Sequence, residues 1–518
     1  MGIPSYYRKL KDSVPGLVCK TKKSSTYGLY FDFNCLIYHV LHKDTVPPYP
    51  TGCDSEARVT WENSLIDAVL KYVRKIVDII GPSDEILISV DGVVPFAKMK
   101  QQRLRRFKSA LSSVDSSWDK NSITPGTYFM ERLGKKLHGL GTGGRKWIIQ
   151  DASMPGEGEQ KVMSHLRNNV PADKDIVVYG LDADLIVLSL LDTSKSGRSI
   201  HLFRENIEYG EMIYDALGEE TYTFLNVNLL EKYLTSRLGG DHSVILDYAM
   251  AMSFLGNDFL PHSLSQKMSE EGHEVMLEFL SNLISSGKRL MNNDTTWNIE
   301  GVREILQRFA LTEDHDMYVS IRKKITHNPV IKEDTTPDFY PAEKVEYDFF
   351  EDGTGGAQAR GSQLKPTWRK TYYENYVGGA HALVARTAAK HYYEGLHWIR
   401  AYYLGEPVAI DWYYPFFLPP LWKDIVVYLD KYFMAACVSA AATVFSAYAQ
   451  PQEQLAMVLP LESWWLIRDK TLKQVPYMAP QYWPVQYKMF SCGKKWMWEC
   501  ESQIPLLTLR TLRRIVAQ

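Results

Sequence analysis

Residues 175–191 read DIVVYGLDADLIVLSLL, an apolar run interrupted by two aspartates, Asp182 and Asp184. Burying an unpaired carboxylate costs several kcal/mol, and such a group usually neutralises instead. Here two acids stand one residue apart, with no lysine or arginine between Ile176 and Thr193. The run before the pair has strand character, and LIVLSLL after it can open a helix that Asp184 would cap. Strand, acidic turn, helix is the local order that sets the fold class.

Working outward, the same alternation continues. Further strand candidates are YGLYFDF (27–33), EILISVDG (85–92), KWIIQD (146–151) and SIHLFR (199–204), with helical periods in 61–80 and 158–169 between them. Alternating strands and helices predict an α/β fold, a mostly parallel sheet flanked by helices on both faces. Ligands in such sheets sit outside the carboxyl ends of the strands. From about Ser243 the pattern turns helical, with 243–255 and 297–311 as candidates. Residues 331–367 are acidic, then Gly-rich, and read as a linker or long loop. The aromatic-rich 368–420 follows it.

Several predicted strands end in an acid: Asp32 after GLYF, Asp91 after ILISV, and Asp182 with Asp184 after IVVYGL. MPGEGEQ (154–160) adds Glu157 and Glu159 at a predicted helix start, and FLGNDFLPH adds Asp258. Gathered without counter-charge, these seven carboxylates would repel and raise one another's pKa values. Divalent cations resolve that conflict. Mg²⁺ takes hard oxygen ligands, and two such ions suit phosphodiester hydrolysis. Any one of these acids alone reads equally as an N-cap or loop residue. The agreement of three strand ends and the pairing in GEGE and DAD favour a metal site.

After Asp91 comes PFAKMKQQRLRRFKSAL (95–111), in which Lys98, Gln102, Arg105 and Arg106 share one helix face. Beside a carboxylate site such a face can seat a phosphate, whereas a charge run far from any site is a solvated surface. Formal net charge is −2, and setting the seven acids aside leaves about +5, a mildly basic remainder. Tyr and Trp number 32 and 13. Most belong in the core, but rings beside the site can stack bases. The six cysteines form no CxxC pair, which excludes a zinc ribbon and fits a reducing compartment. The N-terminus has no apolar signal core, and Tyr6 stands where a myristoylation signal needs Ser or Thr. The charge-free 432–449 reads as a buried helix rather than a membrane span.

Taken together and in order, MGIPSYYRKL, YFDFN, SVDGVVPFAKMKQQRLRRF, MPGEGEQKVM, YGLDADLIVLSL and FLGNDFLPH resemble the Xrn family of 5′→3′ exoribonucleases. YYEGLHWIRAYYLGEPVAIDWYYPF and PQEQLAMVLP resemble that family's second conserved region. The resemblance runs from Met1 to about Pro460. It implies a PIN/flap-nuclease-like core at 1–265, a helical connection at 266–330, the linker at 331–367, and a helical second region at 368–518 closing the active site. It implies that Asp32, Asp91, Glu157, Glu159, Asp182, Asp184 and Asp258 hold two Mg²⁺ ions, for which Mn²⁺ can substitute. It also implies a 5′-monophosphate pocket at Lys98, Gln102, Arg105 and Arg106. The first base would stack between Tyr38, where the family usually has His, and Trp412. His39 competes with Tyr38 for that place, and Phe96 replaces a common Arg. The expected activity is processive hydrolysis of 5′-monophosphorylated single-stranded RNA to mononucleotides, in the cytoplasm or nucleus, with no membrane association. The chain reaches only Gln518, which reads as a compact form without long C-terminal extensions. A 5′-flap DNA endonuclease shares the MGI start and the acids, but no Gly-rich duplex-binding hairpin follows Asp258. A catalytically inactive RNA-binding scaffold would lack one of the seven acids, and none is missing.

Overall fold

The computed structural model describes residues 6–22, 24–50, 52, 54–111, 118–141, 144–180, 182–208, 211–268, 270–325, 348–351, 363–442 and 447–518. A seven-stranded sheet organises the first half. Its strands are β1 (Val18–Cys19), β2 (Gly28–Asp32), β3 (Glu85–Ser89), β4 (Lys146–Gln150), β5 (Asp175–Tyr179), β6 (Ser199–Glu205) and, after a separate hairpin of β7 (Ile207–Glu208) and β8 (Glu211–Met212), β9 (Tyr222–Asn226). The order across the sheet is β1-β9-β6-β5-β2-β3-β4. The five strands expected from the sequence form its parallel part, and β9 and β1 add an antiparallel edge. Both added strands escaped the sequence reading: β1 is too short to carry an alternation, and β9 follows a polar hairpin.

Side-chain alternation divides the central strands between two cores. Leu29, Phe31, Ile86, Ile88, Val177 and Tyr179 pack with α2 (Asn34–Leu41), α3 (Ser55–Ile80) and α5 (Tyr128–Leu137). Tyr30, Leu87, Ile176 and Val178 face the opposite core, with α1 (Tyr6–Ser13), α6 (Gly158–Asn169), α7 (Ala183–Ser196), α8 (Val227–Leu238) and α9 (Val244–Ala251). Burial on both faces explains why these strands read as continuous apolar runs. Helix α3 starts six residues before the expected 61 because the Asp54 side chain accepts from the backbone N–H groups of Glu56 and Ala57. Helix α4 (Phe96–Leu111) leaves the end of β3.

Helices α10 (Gly272–Ser285), α11 (Ile299–Ile325), α13 (His381–Leu404) and α14 (Trp422–Ala442) enlarge the second core, while α12 (Trp368–Thr371) places Trp368 in a smaller cluster. The expectation of a buried helix at 432–449 needs correction: 443–446 lie outside the described residues, and 447–449 are not helical. Helix α14 begins ten residues earlier and has two faces: Trp422, Ile425, Leu429 and Phe433 are buried, whereas Val427 and Met434 are exposed. Among the described residues, no helix is long and apolar enough to cross a membrane. Most of the 331–367 stretch lies outside the described residues, while Phe349 and Phe350, midway along it, are fully buried in one cluster with Trp368 and Tyr372. The C-terminal segment 447–518 is largely irregular, with α15 (Pro451–Val458), α16 (Val475–Met478), α17 (Leu509–Val516) and a ribbon of β10 (Met489–Phe490) and β11 (Glu501–Ser502). It packs on α4 through Phe96, Met99, Leu104 and Phe107.

One buried ion pair locks α7 to the sheet. Arg198 bonds Asp192 through Nη1, and its Nη2 donates to the carbonyls of Leu166 (3.0 Å) and Val170 (2.7 Å). Arg198→Ala leaves a buried carboxylate without its cation and should cost about 3–5 kcal/mol, measured by urea denaturation.

Candidate active site

Connections from β2 run to β3 on one side, while β5 joins β2 on the other, so the strand order reverses at the β2–β5 boundary. In open α/β sheets that boundary opens a crevice at the carboxyl edge. Asp32 is the last residue of β2 and pairs with Ser89, two residues before Asp91. Phe31 pairs with Tyr179, three residues before Asp182. Register alone therefore brings three of the expected acids to one edge. One oxygen each of Asp32, Glu159 and Asp182 lies within 4.8 Å of the others. A cavity of about 210 Å³ is lined by Asp32, Asp91, Glu157, Glu159, Asp182 and Asp258 together with Lys98, Gln102, Arg105, Arg106 and Tyr38. Asp184 lies behind this wall, buried in the first turn of α7.

Close backbone contacts set these positions. Gly92 N–H donates to Gly156 O (2.9 Å) and Gly156 N–H to Val93 O (2.8 Å), zipping the turn after β3 to the turn before α6. A Cβ on Gly92 would lie 1.7 Å from Met154 O, so a side chain there would force the two turns apart. Gly158 N–H donates to Asp91 Oδ1 (2.7 Å), and a Cβ on Gly158 would meet Asp32 Oδ1 at 2.6 Å. Glu157 and Asp182 occupy the N-cap positions of α6 and α7, yet neither side chain caps its helix. An acid at such a position ordinarily bonds the first-turn N–H groups; these two turn to the cavity instead. Asp151, at the end of β4, shows the ordinary outcome. It accepts from Ser153 N–H (2.9 Å) and pairs with His138 (3.0 Å), and it does not line the cavity.

The basic face of α4 forms the opposite wall. Arg106 is buried, and its Nη1 has no hydrogen-bond partner among the described residues. Burial lowers its pKa to about 10, which leaves it charged at neutral pH. Lys98 belongs to both walls, with Nζ 2.6 Å from Glu157 Oε2 and 2.8 Å from Asp258 Oδ2. Tyr38 is 37% exposed on the cavity wall, whereas His39 turns away, its Nε2 3.4 Å from Glu220 Oε1. Trp412 is not among the cavity-lining residues. Its ring stacks on Trp398 at 5.2 Å and 27°.

Four functional contributors were not singled out from the sequence. Asn34 Nδ2 donates to Asp91 Oδ2 (2.9 Å). Lys161 sits behind the same loop and donates to Val90 O (2.7 Å). Tyr402 and Tyr403, on α13, donate to Glu157 Oε1 (2.5 Å) and Asp184 Oδ1 (3.3 Å). Asn34 follows Asp32 by two residues and could have been suspected; the tyrosines lie more than two hundred residues from their acids and carry no local signal.

The crowding is visible in the titration of the acids. Burial, then Asp91 and Asp182, holds the Asp32 carboxyl well above the usual range. Glu159 is raised by burial and then by Glu157. Asp91 is raised mainly by burial. Asp184 is pushed up to about 7 by burial and then by Asp258. Burial also opposes ionisation of Asp258, but Lys98 and the other cations near it together outweigh burial and bring the pKa down to about 2. One lysine thus serves two acids, Glu157 and Asp258. Oxygen-only donors with excess negative charge fit a hard divalent ion such as Mg²⁺ or Mn²⁺. A carboxyl raised in the folded state binds protons that the unfolded chain releases, so stability falls as pH rises from its ordinary 3.8 to about 7. In EDTA, Asp184→Asn should therefore flatten the loss of Tm across that window and raise Tm at pH 7.5 by about 2–4 °C, as read by a thermal melt at each pH.

Comparison with known proteins follows the same residues. The family model described as XRN 5′-3′ exonuclease N-terminus matches residues 1–117 and 112–206. The chain is 26% identical over 396 residues to 5′-3′ exoribonuclease 2 of Kluyveromyces lactis, covering 60% of this chain and 39% of that protein. It is 26% identical over 399 residues to 5′-3′ exoribonuclease 2 of Saccharomyces cerevisiae, covering 60% and 39%. With 5′-3′ exoribonuclease 1 of Schizosaccharomyces pombe it shares 29% over 353 residues, 59% of this chain and 26% of that protein. It thus spans well under half the length of these relatives. Among solved structures, the catalytic core of Rad2 in complex with DNA substrate aligns at a TM-score of 0.34 and 14% identity, covering 74% of this chain and 97% of that one. Residues 1–206, which carry Asp32, Asp91, Glu157, Glu159, Asp182 and Asp184 and the whole of helix α4, thus match the N-terminal region of the XRN 5′-3′ exonucleases.

Proposed function

We propose that this protein is a processive 5′→3′ exoribonuclease that hydrolyses 5′-monophosphorylated single-stranded RNA to mononucleotides with two divalent ions, Mg²⁺ or Mn²⁺. The observation that carries the reading is a single cavity with carboxylates on one wall and Lys98, Gln102, Arg105 and Arg106 on the other. The names of its relatives, 5′-3′ exoribonuclease 1 and 2, support the same activity.

The arrangement suits the reaction. Asp32, Asp91, Glu157, Glu159, Asp182, Asp184 and Asp258 would hold the ions, which when bound polarise the phosphodiester and activate the attacking water. Water attacks the phosphorus between the first and second nucleotides, and the P–O3′ bond breaks. The first nucleotide leaves with its 5′-phosphate and a 3′-hydroxyl. The shortened RNA gains a new 5′-phosphate, the same group that the basic wall binds, so each cycle restores its own recognition element. Arg106, buried with an unpartnered Nη1, suits a terminal phosphate. The exposed ring of Tyr38 offers the first base a stacking surface. Lys98 pairs with Glu157 and Asp258, and ions held by those two acids would leave its ammonium available to a phosphate.

Asp182→Ala should abolish turnover with little change in fold, because it deletes a cavity-facing oxygen rather than core packing. EDTA should do the same, with recovery on adding Mg²⁺ or Mn²⁺. Undiminished degradation of 5′-labelled RNA in EDTA would sink the metal-dependent reading. Arg105→Ala should slow decay of 5′-monophosphate RNA by about tenfold to a hundredfold and narrow its advantage over 5′-hydroxyl RNA. The measurement is kcat/KM for both RNAs.

A further inference from the structure

Helix α4 carries a second set of cations that the proposed reaction does not use. Lys100, Arg103 and Lys108 point away from the cavity. Arg103 is 2% exposed and has no carboxylate partner among the described residues. Its Nε donates to Pro505 O (3.1 Å), its Nη1 to Met457 O (2.9 Å) and its Nη2 to Tyr482 O. One planar fork thus joins three separate stretches of the C-terminal segment. The guanidinium also lies over the rings of Phe107 (4.5 Å) and Trp483 (5.6 Å). Lys108 Nζ adds Trp498 O (2.7 Å) and Cys500 O (2.8 Å), and the Tyr487 hydroxyl donates to Phe107 O (2.7 Å).

Two physical consequences follow. First, the rotation of α4 about its axis is fixed from behind. Arg103 lies next to Gln102 and one turn from Arg106, so turning the helix to release Arg103 would swing both out of the cavity wall. Second, a buried cation balanced only by carbonyl dipoles leaves net positive charge inside the protein. That charge favours an anion bound on the other side of the same helix.

We propose that Arg103 is a positioning residue for 5′-end recognition, and that by gripping Met457, Tyr482 and Pro505 it makes the C-terminal segment 447–518 part of the terminal-phosphate site. The proposal rests on the end selection described under Proposed function.

The test compares full-length parent, Arg103→Gln, Arg103→Lys and Leu472→Ala. Leu472→Ala loosens the same C-terminal core without removing a hydrogen bond to α4. For each, Tm is recorded and kcat/KM is measured with 5′-monophosphate and 5′-hydroxyl RNAs of one sequence. Arg103→Gln should narrow the ratio of the two by about tenfold, chiefly through KM of the phosphorylated RNA. Arg103→Lys keeps the charge but cannot span three carbonyls, and should fall between. Leu472→Ala should lower Tm and leave the ratio alone. An unchanged ratio in Arg103→Gln overturns the proposal. So does an equal narrowing in Leu472→Ala, which would reduce Arg103 to a stabilising contact. Should Arg103→Gln not fold, Lys108→Met, which releases only the Trp498 and Cys500 carbonyls, must narrow the ratio for the proposal to stand. A parent enzyme that treats both RNAs alike would instead overturn the end-selection reading, before any substitution is made.

Discussion

Repulsion among buried carboxylates at the carboxyl edge of the sheet is the constraint around which this protein is built. Asp32, Asp91, Glu159 and Asp184 are all held above their usual pKa range, first by burial and then by neighbouring carboxylates. Left to themselves, such groups would move apart, recruit water or take protons. The surrounding structure denies them the first. Parallel pairing fixes Asp32 against its neighbours. Gly92 and Gly158 admit backbone contacts that no other residue would permit. Tyr402 and Tyr403 fix Glu157 and Asp184 from a helix far along the chain. Strain held in this way is retained where it serves chemistry.

Lys98 is where the acidic and basic halves of the site meet. Burial disfavours its charge, but Asp258 and Glu157 more than reverse that effect and raise its pKa well above the usual value. The same helix carries half-buried Lys100 and buried Arg103 and Arg106, whose pKa values burial lowers to about 8, 9 and 10. The contrast within one helix is informative. Lys98 is balanced by carboxylates, whereas Lys100 and Arg103 are balanced by backbone carbonyls drawn from distant segments. Helix α4 is therefore a charged plate between the nuclease cavity and the C-terminal segment, and its orientation depends on both.

Much of this was legible along the chain because the relevant physics is local. Continuous apolar runs ending in an acid mark the central strands buried on both faces, and the three that lead to Asp32, Asp91 and Asp182 became parallel neighbours. The spacing of Lys98, Gln102, Arg105 and Arg106 sets one helix face irrespective of what packs against it. Where the reading stopped short, the missing information was not local. Asp151 ends its strand much as Asp91 does, but Asp151 pairs with Ser153 and His138 and stays out of the cavity wall. The charge-free stretch at 432–449 hid the amphipathic character that its preceding residues give α14.

The sequence by itself determined which strands could form, where their acids would fall, and which cations would share a face, since periods of two and 3.6 residues and strand-end position are properties of contiguous chain. Only the tertiary structure decided that Tyr38 rather than His39 meets the cavity, and that Trp412 stacks on Trp398. It alone decided that the α13 tyrosines hold the carboxylates and that Arg103 faces carbonyls instead of the site. Each of these depends on contacts between residues far apart in the chain, and a side chain's partner across such a distance is fixed by packing, not by its neighbours in sequence.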